Sequence, residues 1–172
     1  PVPFAPSFYG LDFSELPALI GAFAYGPVAG VMIEFCKILI KLVLKPSSTA
    51  FVGELANFSI TCMLVLPASV IYLFKKSRKQ AILGTVVGTL IMTAFGSCFN
   101  AIYLLPKFSE LYGIPLDAII GMGTAINPAI HSISGLVLMC VVPLNLLKGG
   151  LVSLITILVY KKLSPILKAA HK

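Results

Sequence analysis

Charge is what this sequence has least of. Only 11% of its 172 residues are Asp, Glu, Lys or Arg, and just 6 are acidic, against about a quarter charged in an average soluble domain. With so little polar surface the chain cannot face water on all sides, so a soluble globular domain is excluded. Catalytic signatures are missing too. No Gly-rich phosphate loop, H-E-x-x-H or G-x-S-x-G occurs, so nothing here hydrolyses a nucleotide, and any pumping needs another subunit. Cys36, Cys62, Cys98 and Cys140 show no C-x-x-C spacing and no nearby His. That argues against a metal site and makes them small buried hydrophobes. There is no signal-peptide pattern; the chain opens on the Pro-rich run Pro1 to Pro6, and a further segment upstream of it is expected.

What is present in bulk is apolar: 58% hydrophobic residues and a mean hydropathy of +1.01. The net charge of +7 does not indicate nucleic acid. The basic residues stand mostly at the ends of apolar stretches rather than on one polar face. The expected fold is all-α: a single polytopic transmembrane helical bundle spanning residues 1–172.

Punctuation by Pro and Gly divides the chain. Residues 1–13 form a loop. Helices are expected at about 14–25, 27–44, 50–74, 80–105 and 133–163, broken by Gly26-Pro27, Lys45-Pro46 and the basic loop Lys75 to Lys79. Asp12 and Glu15 have capping-box spacing, but Pro17 belongs in a first turn, which favours Ser14 as the cap. Pro67 and Pro143 are expected to kink their helices. Residues 106–130 are mixed, with a short helix near 116–122. A span needs about 20 apolar residues; the first helix is too short and the other four reach that length or come close. Gly26-x-x-x-Gly30 and Gly84-x-x-x-Gly88 have the spacing that lets helices approach closely within one chain.

Lys75, Lys76, Arg78 and Lys79 in one loop and Lys161, Lys162, Lys168 and Lys172 in the tail are separated by two spans, so they share a side, the cytoplasmic one. Pro1 then lies outside.

Polar groups at membrane depth need a partner, a cavity or a ligand. Glu54 and Asn57 are three apart on the third helix, Asn145 and Lys148 three apart on the last, and Asn100 is near the end of the fourth. Residues three apart share a face. All five fall in the outer half, as in a capture site for a small molecule with a polar edge, because Asn both donates and accepts. The plainer alternative is that Glu54 and Lys148 pair with each other and the amides satisfy kinked backbone. Glu34 with Lys37 reads as a self-neutralising pair, and Lys41 and Lys45 as snorkelling cations. His131 alone is no catalytic centre.

The runs Leu11 to Gly30, Gly53-Glu-Leu-Ala-Asn57 and Val142-Pro-Leu-Asn-Leu-Leu-Lys-Gly149 resemble the riboflavin-binding S components of energy-coupling factor (ECF) transporters. The resemblance extends over nearly the whole chain. It implies a fold of six membrane helices, the first of them outside this chain, in a bacterial cell membrane. It implies high-affinity capture of riboflavin from outside, and partnership with a membrane-embedded coupling subunit and two ATPases. It implies no enzymatic activity and no cofactor, riboflavin being the transported ligand. Residues 1–13 become a lid over the ligand, with contacts from Leu11, Asp12 and Phe13. Side chains of Glu54, Asn100, Asn145 and Lys148 join them, and helix spacing adds Asn57. Phe13, Phe58, Phe99 and Tyr103 are possible walls for the dimethylbenzene end. An S component for another vitamin, a small membrane-embedded enzyme using Glu54 and Lys148 as acid and base, and a purely structural membrane subunit remain as rivals.

Overall fold

Proline and glycine set most of the element boundaries. The computed structural model describes residues 13–47 and 49–169, from 160 onward as backbone only. Helix α1 (Leu16–Tyr25) carries Pro17 in its first turn, and its N-cap is Glu15, not Ser14, with no side-chain cap bond. The Glu15 carboxylate makes no cap bond because Lys148 and Thr61 engage it. Gly26, at φ 98°, turns the chain into α2 (Pro27–Leu44), a conformation that disfavours a side chain. Gly26 is therefore a hinge residue rather than half of a packing pair. Its partner Gly30 does pack closely, its missing Cβ lying 2.5 Å from Ala22 Cβ and 2.6 Å from Val65 Cγ1.

Helix α3 (Val52–Lys75) runs on through Pro67. The backbone just before it is strained: Ala50 and Phe51 have φ of 46° and 67°, a region costly for non-glycine residues. Side chains hold this turn in place. Ser47 Oγ accepts from Phe51 N at 2.9 Å, and Thr49 Oγ1 accepts from Gly53 N at 3.0 Å. Both hydroxyls donate to Glu54 Oε2, at 2.8 and 3.0 Å. Ser77 then caps α4 (Arg78–Phe99), accepting from Gln80 N.

Two prolines at depth are absorbed in the same way. A π turn at Asn100–Leu104 precedes α5 (Leu105–Tyr112), whose first turn holds Pro106. After α6 (Leu116–Thr124) and α7 (Ile133–Leu136), a second π turn at Val137–Val141 precedes α8 (Val142–Ala169), with Pro143 near its start. Proline lacks the N–H for the carbonyl four residues back and its ring collides with that carbonyl. Widening one turn moves the carbonyl aside: Leu105 N bonds Asn100 O and Val142 N bonds Val137 O, five residues back. The expected kink at Pro143 thus takes the form of a π bulge.

Among the described residues, three helical stretches are long and apolar enough to cross a membrane: Val52–Lys75, Arg78–Tyr112 and Ile133–Val159. Helix α2, with 18 residues, carries Glu34, Lys37 and Lys41. Helix α1, at 10 residues, is about 15 Å long, half a hydrocarbon core. It packs beside the half of α3 nearer Lys75, with Phe23 against Tyr72 at a ring separation of 4.6 Å. Between α3 and α4 the backbones nearly touch: a Cβ on Gly84 or Gly88 would lie 2.5 Å from the carbonyl oxygen of Ala68 or Leu64.

The buried apolar residues form two clusters. The one nearer the Lys75–Lys79 loop, called inner for that position alone, joins Leu19, Phe23, Leu64, Tyr72, Met92 and Val152; the outer one joins Leu105, Ile119, Ile130, Leu136, Val141 and Leu144. Cys62 and Cys140 are buried, as expected, but Cys36 and Cys98 are exposed. Cys36 lines a groove between α1 and α2.

Candidate ligand-binding site

Between the two apolar clusters lies a polar layer. Along α8 it falls between Leu144 and Val152; along α4 and its π turn, between Met92 and Leu105. Its members are Glu15, Thr61, Gly96, Asn100, Asn145 and Lys148. Lys148 forms an ion pair with Glu15 Oε1, the side chains being 12% and 0% exposed. Thr61 Oγ1 donates to the same carboxylate oxygen at 2.9 Å. One turn outward, Asn100 Nδ2 donates to Gly96 O at 2.8 Å. Asn145 Nδ2 lies directly over Gly96, 2.8 Å from where a Cβ would stand. Glycine is required there for the α8 amide to reach α4.

Two buried atoms of the layer have no hydrogen-bond partner among the described residues: Asn145 Nδ2 and Glu15 Oε2. Buried polar groups are seldom left so, because each forfeits its interaction with water. Their placement coincides with a change along α3. Its interior stripe is Leu64, Val65, Ala68 and Tyr72 in the inner half, then Thr61, Asn57 and Glu54 moving outward at helical spacing. The switch from apolar to polar comes at Thr61, the level at which α1 begins. Outside that level α1 no longer covers the stripe, and Asn57 and Glu54 are only half-buried.

The structure thus brings together three expected site residues, Asn100, Asn145 and Lys148, with Asn57 one turn outward of Thr61 on the same face of α3. It does not unite Glu54 with Lys148. Glu54 lies seven residues outward of Thr61, about 10 Å along the helix, and its carboxylate is held by Ser47 and Thr49. The partner of Lys148 is Glu15. Leu11 and Asp12 lie outside the described residues; Phe13 is exposed. Among the expected walls, Phe99 stacks between Phe95 and Tyr103, at 5.5 and 5.1 Å, while Phe58 turns edge-on to Phe35 of α2. Glu34 pairs with Lys37 at 2.5 Å. A groove of about 380 Å³ between α1 and α2, lined by Pro17, Met32, Ile33 and Ile40 among others, is apolar and lies away from the amides.

Sequence reading missed Glu15, Thr61 and Gly96 as parts of the site. The available signal was charge balance: a buried Lys148 needs a buried acid, and with Glu34 neutralised by Lys37, Glu15 was one of the acids left, although nothing in the sequence ranked it above Glu54.

Removing the Glu54 carboxylate (Glu54→Ala) loosens the strained turn before α3. Its expected cost is about 1–2 kcal/mol of stability, seen as a lower melting temperature in detergent. Ligand affinity should change less than about threefold, since the carboxylate is engaged locally. A larger affinity loss would return Glu54 to the binding set.

Residues 1–160 match the family of the substrate-specific component of ECF transporters. The chain belongs to that family. It is 33% identical over 168 residues to "Riboflavin transporter RibU" of Staphylococcus aureus (strain TCH60), covering 98% of this chain and 82% of that one. It is 30% identical over 168 residues to "Riboflavin transporter FmnP" of Bacillus subtilis (strain 168), covering 96% and 82%. A solved structure of the S component of a bacterial ECF transporter superposes with a TM-score of 0.71 at 34% identity, covering 98% of this chain and 85% of that one. An S component is a membrane protein and a transport subunit, not an enzyme.

Proposed function

We propose that this S component crosses a bacterial cell membrane several times, captures riboflavin at its outer face, and works with a membrane-embedded coupling subunit and two ATPases. The observation that supports the reading is Asn145 Nδ2, buried over Gly96 without a hydrogen-bond partner among the described residues, on the face it shares with Lys148. The pyrimidine edge of riboflavin alternates carbonyl and N–H groups, which amides match by donating and accepting together. Its dimethylbenzene end suits the ring stack of Phe99 and Tyr103, and its ribityl hydroxyls suit the Glu15–Lys148 level. The lid expected over residues 1–13 lies, apart from Phe13, outside the described residues.

The test is an absorbance spectrum of the protein purified in detergent without added ligand, followed by a riboflavin fluorescence-quenching titration. A flavin band in near-stoichiometric amount, or saturable quenching, is expected. A colourless protein that leaves riboflavin fluorescence unchanged removes riboflavin and sends the search to other vitamins.

A further inference from the structure

The charges of the bundle are divided unevenly between its two ends. Helix α3 ends at Lys75 and α4 begins at Arg78, so a turn of two residues holds Lys75, Lys76, Arg78 and Lys79 together. Across the α4–α8 crossing Thr89 meets Ser153, and Gly96 meets Asn145. The two helices are therefore antiparallel, and α8, whose backbone continues to Ala169, brings Lys161, Lys162 and Lys168 to the same end. None of the described acidic residues stands there. The sequence has no Asp or Glu between Glu54 and Glu110 or after Asp117, and Glu34 lies seven residues into α2, about 10 Å from its start. Lys75, Arg78 and Lys79 are exposed and have no acidic partner among the described residues. These cations also stand at the ends of apolar faces. On α4, exposed Ile82 and Val86 follow Arg78 in steps of four, and exposed Leu83 follows Lys79. On α3, exposed Val70 and Phe74 precede Lys75. Tyr25, which ends α1 at the same level, is exposed as well, and tyrosine favours the headgroup zone of a bilayer.

Like charges crowded at one end repel one another unless opposite charge comes from outside the chain. We propose that this end of the bundle is a binding surface for anionic phospholipid, with the lipid phosphate among Lys75, Lys76, Arg78 and Lys79 and an acyl chain along the Ile82–Val86 face of α4. A soluble polyanion would answer the charge alone. The apolar face directly behind the cations selects a molecule that joins a phosphate to a hydrocarbon chain. Basic loops also fix sidedness while a chain inserts, but the attraction for anionic headgroups persists in the folded protein. This surface is independent of which cargo the chain carries.

The full chain in detergent is mixed with equal amounts of phosphatidylglycerol and phosphatidylcholine of matched acyl chains, and the lipids it retains are counted by native mass spectrometry. Each cation near a membrane surface adds about fivefold to the affinity for anionic lipid. The wild type is expected to favour phosphatidylglycerol by about twentyfold at low salt, and by less than about threefold at about 0.5 M NaCl. The variant Lys75→Gln/Lys76→Gln/Arg78→Gln/Lys79→Gln should lose about tenfold or more of that preference. Lys75→Arg/Lys76→Arg/Lys79→Arg keeps the charge and should keep the preference. Lys41→Gln/Lys45→Gln, at the far end of α2, should leave it unchanged. If the fourfold variant does not fold, Arg78→Gln/Lys79→Gln carries the comparison, with an expected loss of about fivefold. Equal retention of the two lipids by the wild type overturns the inference. So does a preference that survives removal of the loop cations, or one lost equally in the Lys41/Lys45 variant. Displacement of phosphatidylglycerol by an equimolar amount of glycerol 3-phosphate would give the cations to a soluble anion and overturn it too.

Discussion

Asn145→Leu is expected to abolish riboflavin capture while leaving the empty protein at least as stable as before. The two side chains are close in volume, so packing against Gly96 is preserved. What disappears is a buried amide whose Nδ2 has no partner among the described residues. An unsatisfied buried donor costs about 1–3 kcal/mol, so its removal favours the unliganded fold. The bound state loses the hydrogen bonds that this amide would make to the flavin edge. A site built to bond a polar edge discriminates steeply when one side of the bond is missing. Affinity is expected to fall by about 100-fold or more, near 3 kcal/mol. Fluorescence titration gives the affinity and a thermal melt without ligand gives the stability. Binding retained within about tenfold would remove Asn145 from the site. A large loss of stability would make it a structural residue instead.

Gly84→Val should give the largest loss of fold. The added Cβ would stand 2.5 Å from the Ala68 carbonyl oxygen and 3.2 Å from Ala68 Cα and carbonyl carbon. These are backbone atoms in the middle of α3, so no rotamer change relieves the contact, and the helices must separate. Tight glycine crossings are a principal source of helix association in lipid, where no hydrophobic force holds helices together. The expected cost is about 3 kcal/mol or more, read as a lower melting temperature and poor yield of monodisperse protein. Gly88→Val should behave alike, with its Cβ 2.5 Å from Leu64 O. Gly150→Val is the control, because nothing lies within 4 Å of its Cβ position. A Gly84→Val protein that melts like the control would mean that α3 and α4 do not cross where the structure puts them.

The helices were legible because their ends are written locally. Gly26-Pro27, Lys45-Pro46 and Ser77 mark boundaries in any chain that contains them, and the long apolar runs do the rest. The Asn145–Lys148 face was legible for the same reason, since three residues of helix suffice to define it. The pairing of Lys148 was not. Glu15 is 133 residues away in the chain, and helical spacing ranks no acid above another at that range. Glu54 is the opposite lesson: Ser47 and Thr49 stand seven and five residues before it, so its local engagement was there to be read as turn chemistry. The π turns escaped because proline announces a disturbance without saying how the backbone absorbs it. Gly96 escaped because it has no side chain, and its value appears only once Asn145 is laid across it.

The bond between Glu15 and Lys148 also sets an order of events during biosynthesis. Helix α1 leaves the ribosome long before α8, and at bacterial elongation speeds the interval is on the order of ten seconds. Throughout it, the carboxylate at the head of α1 has no cation waiting for it. Its neighbour Glu34 is spared this, since Lys37 emerges with it on the same helix. A segment of 10 residues is too short to be committed to lipid by its own greasiness, and that shortness keeps the nascent acid near water. The arrival of α8 then draws α1 home. The contact that ties α1 to α8 in the mature protein can thus form only after Lys148 has been made.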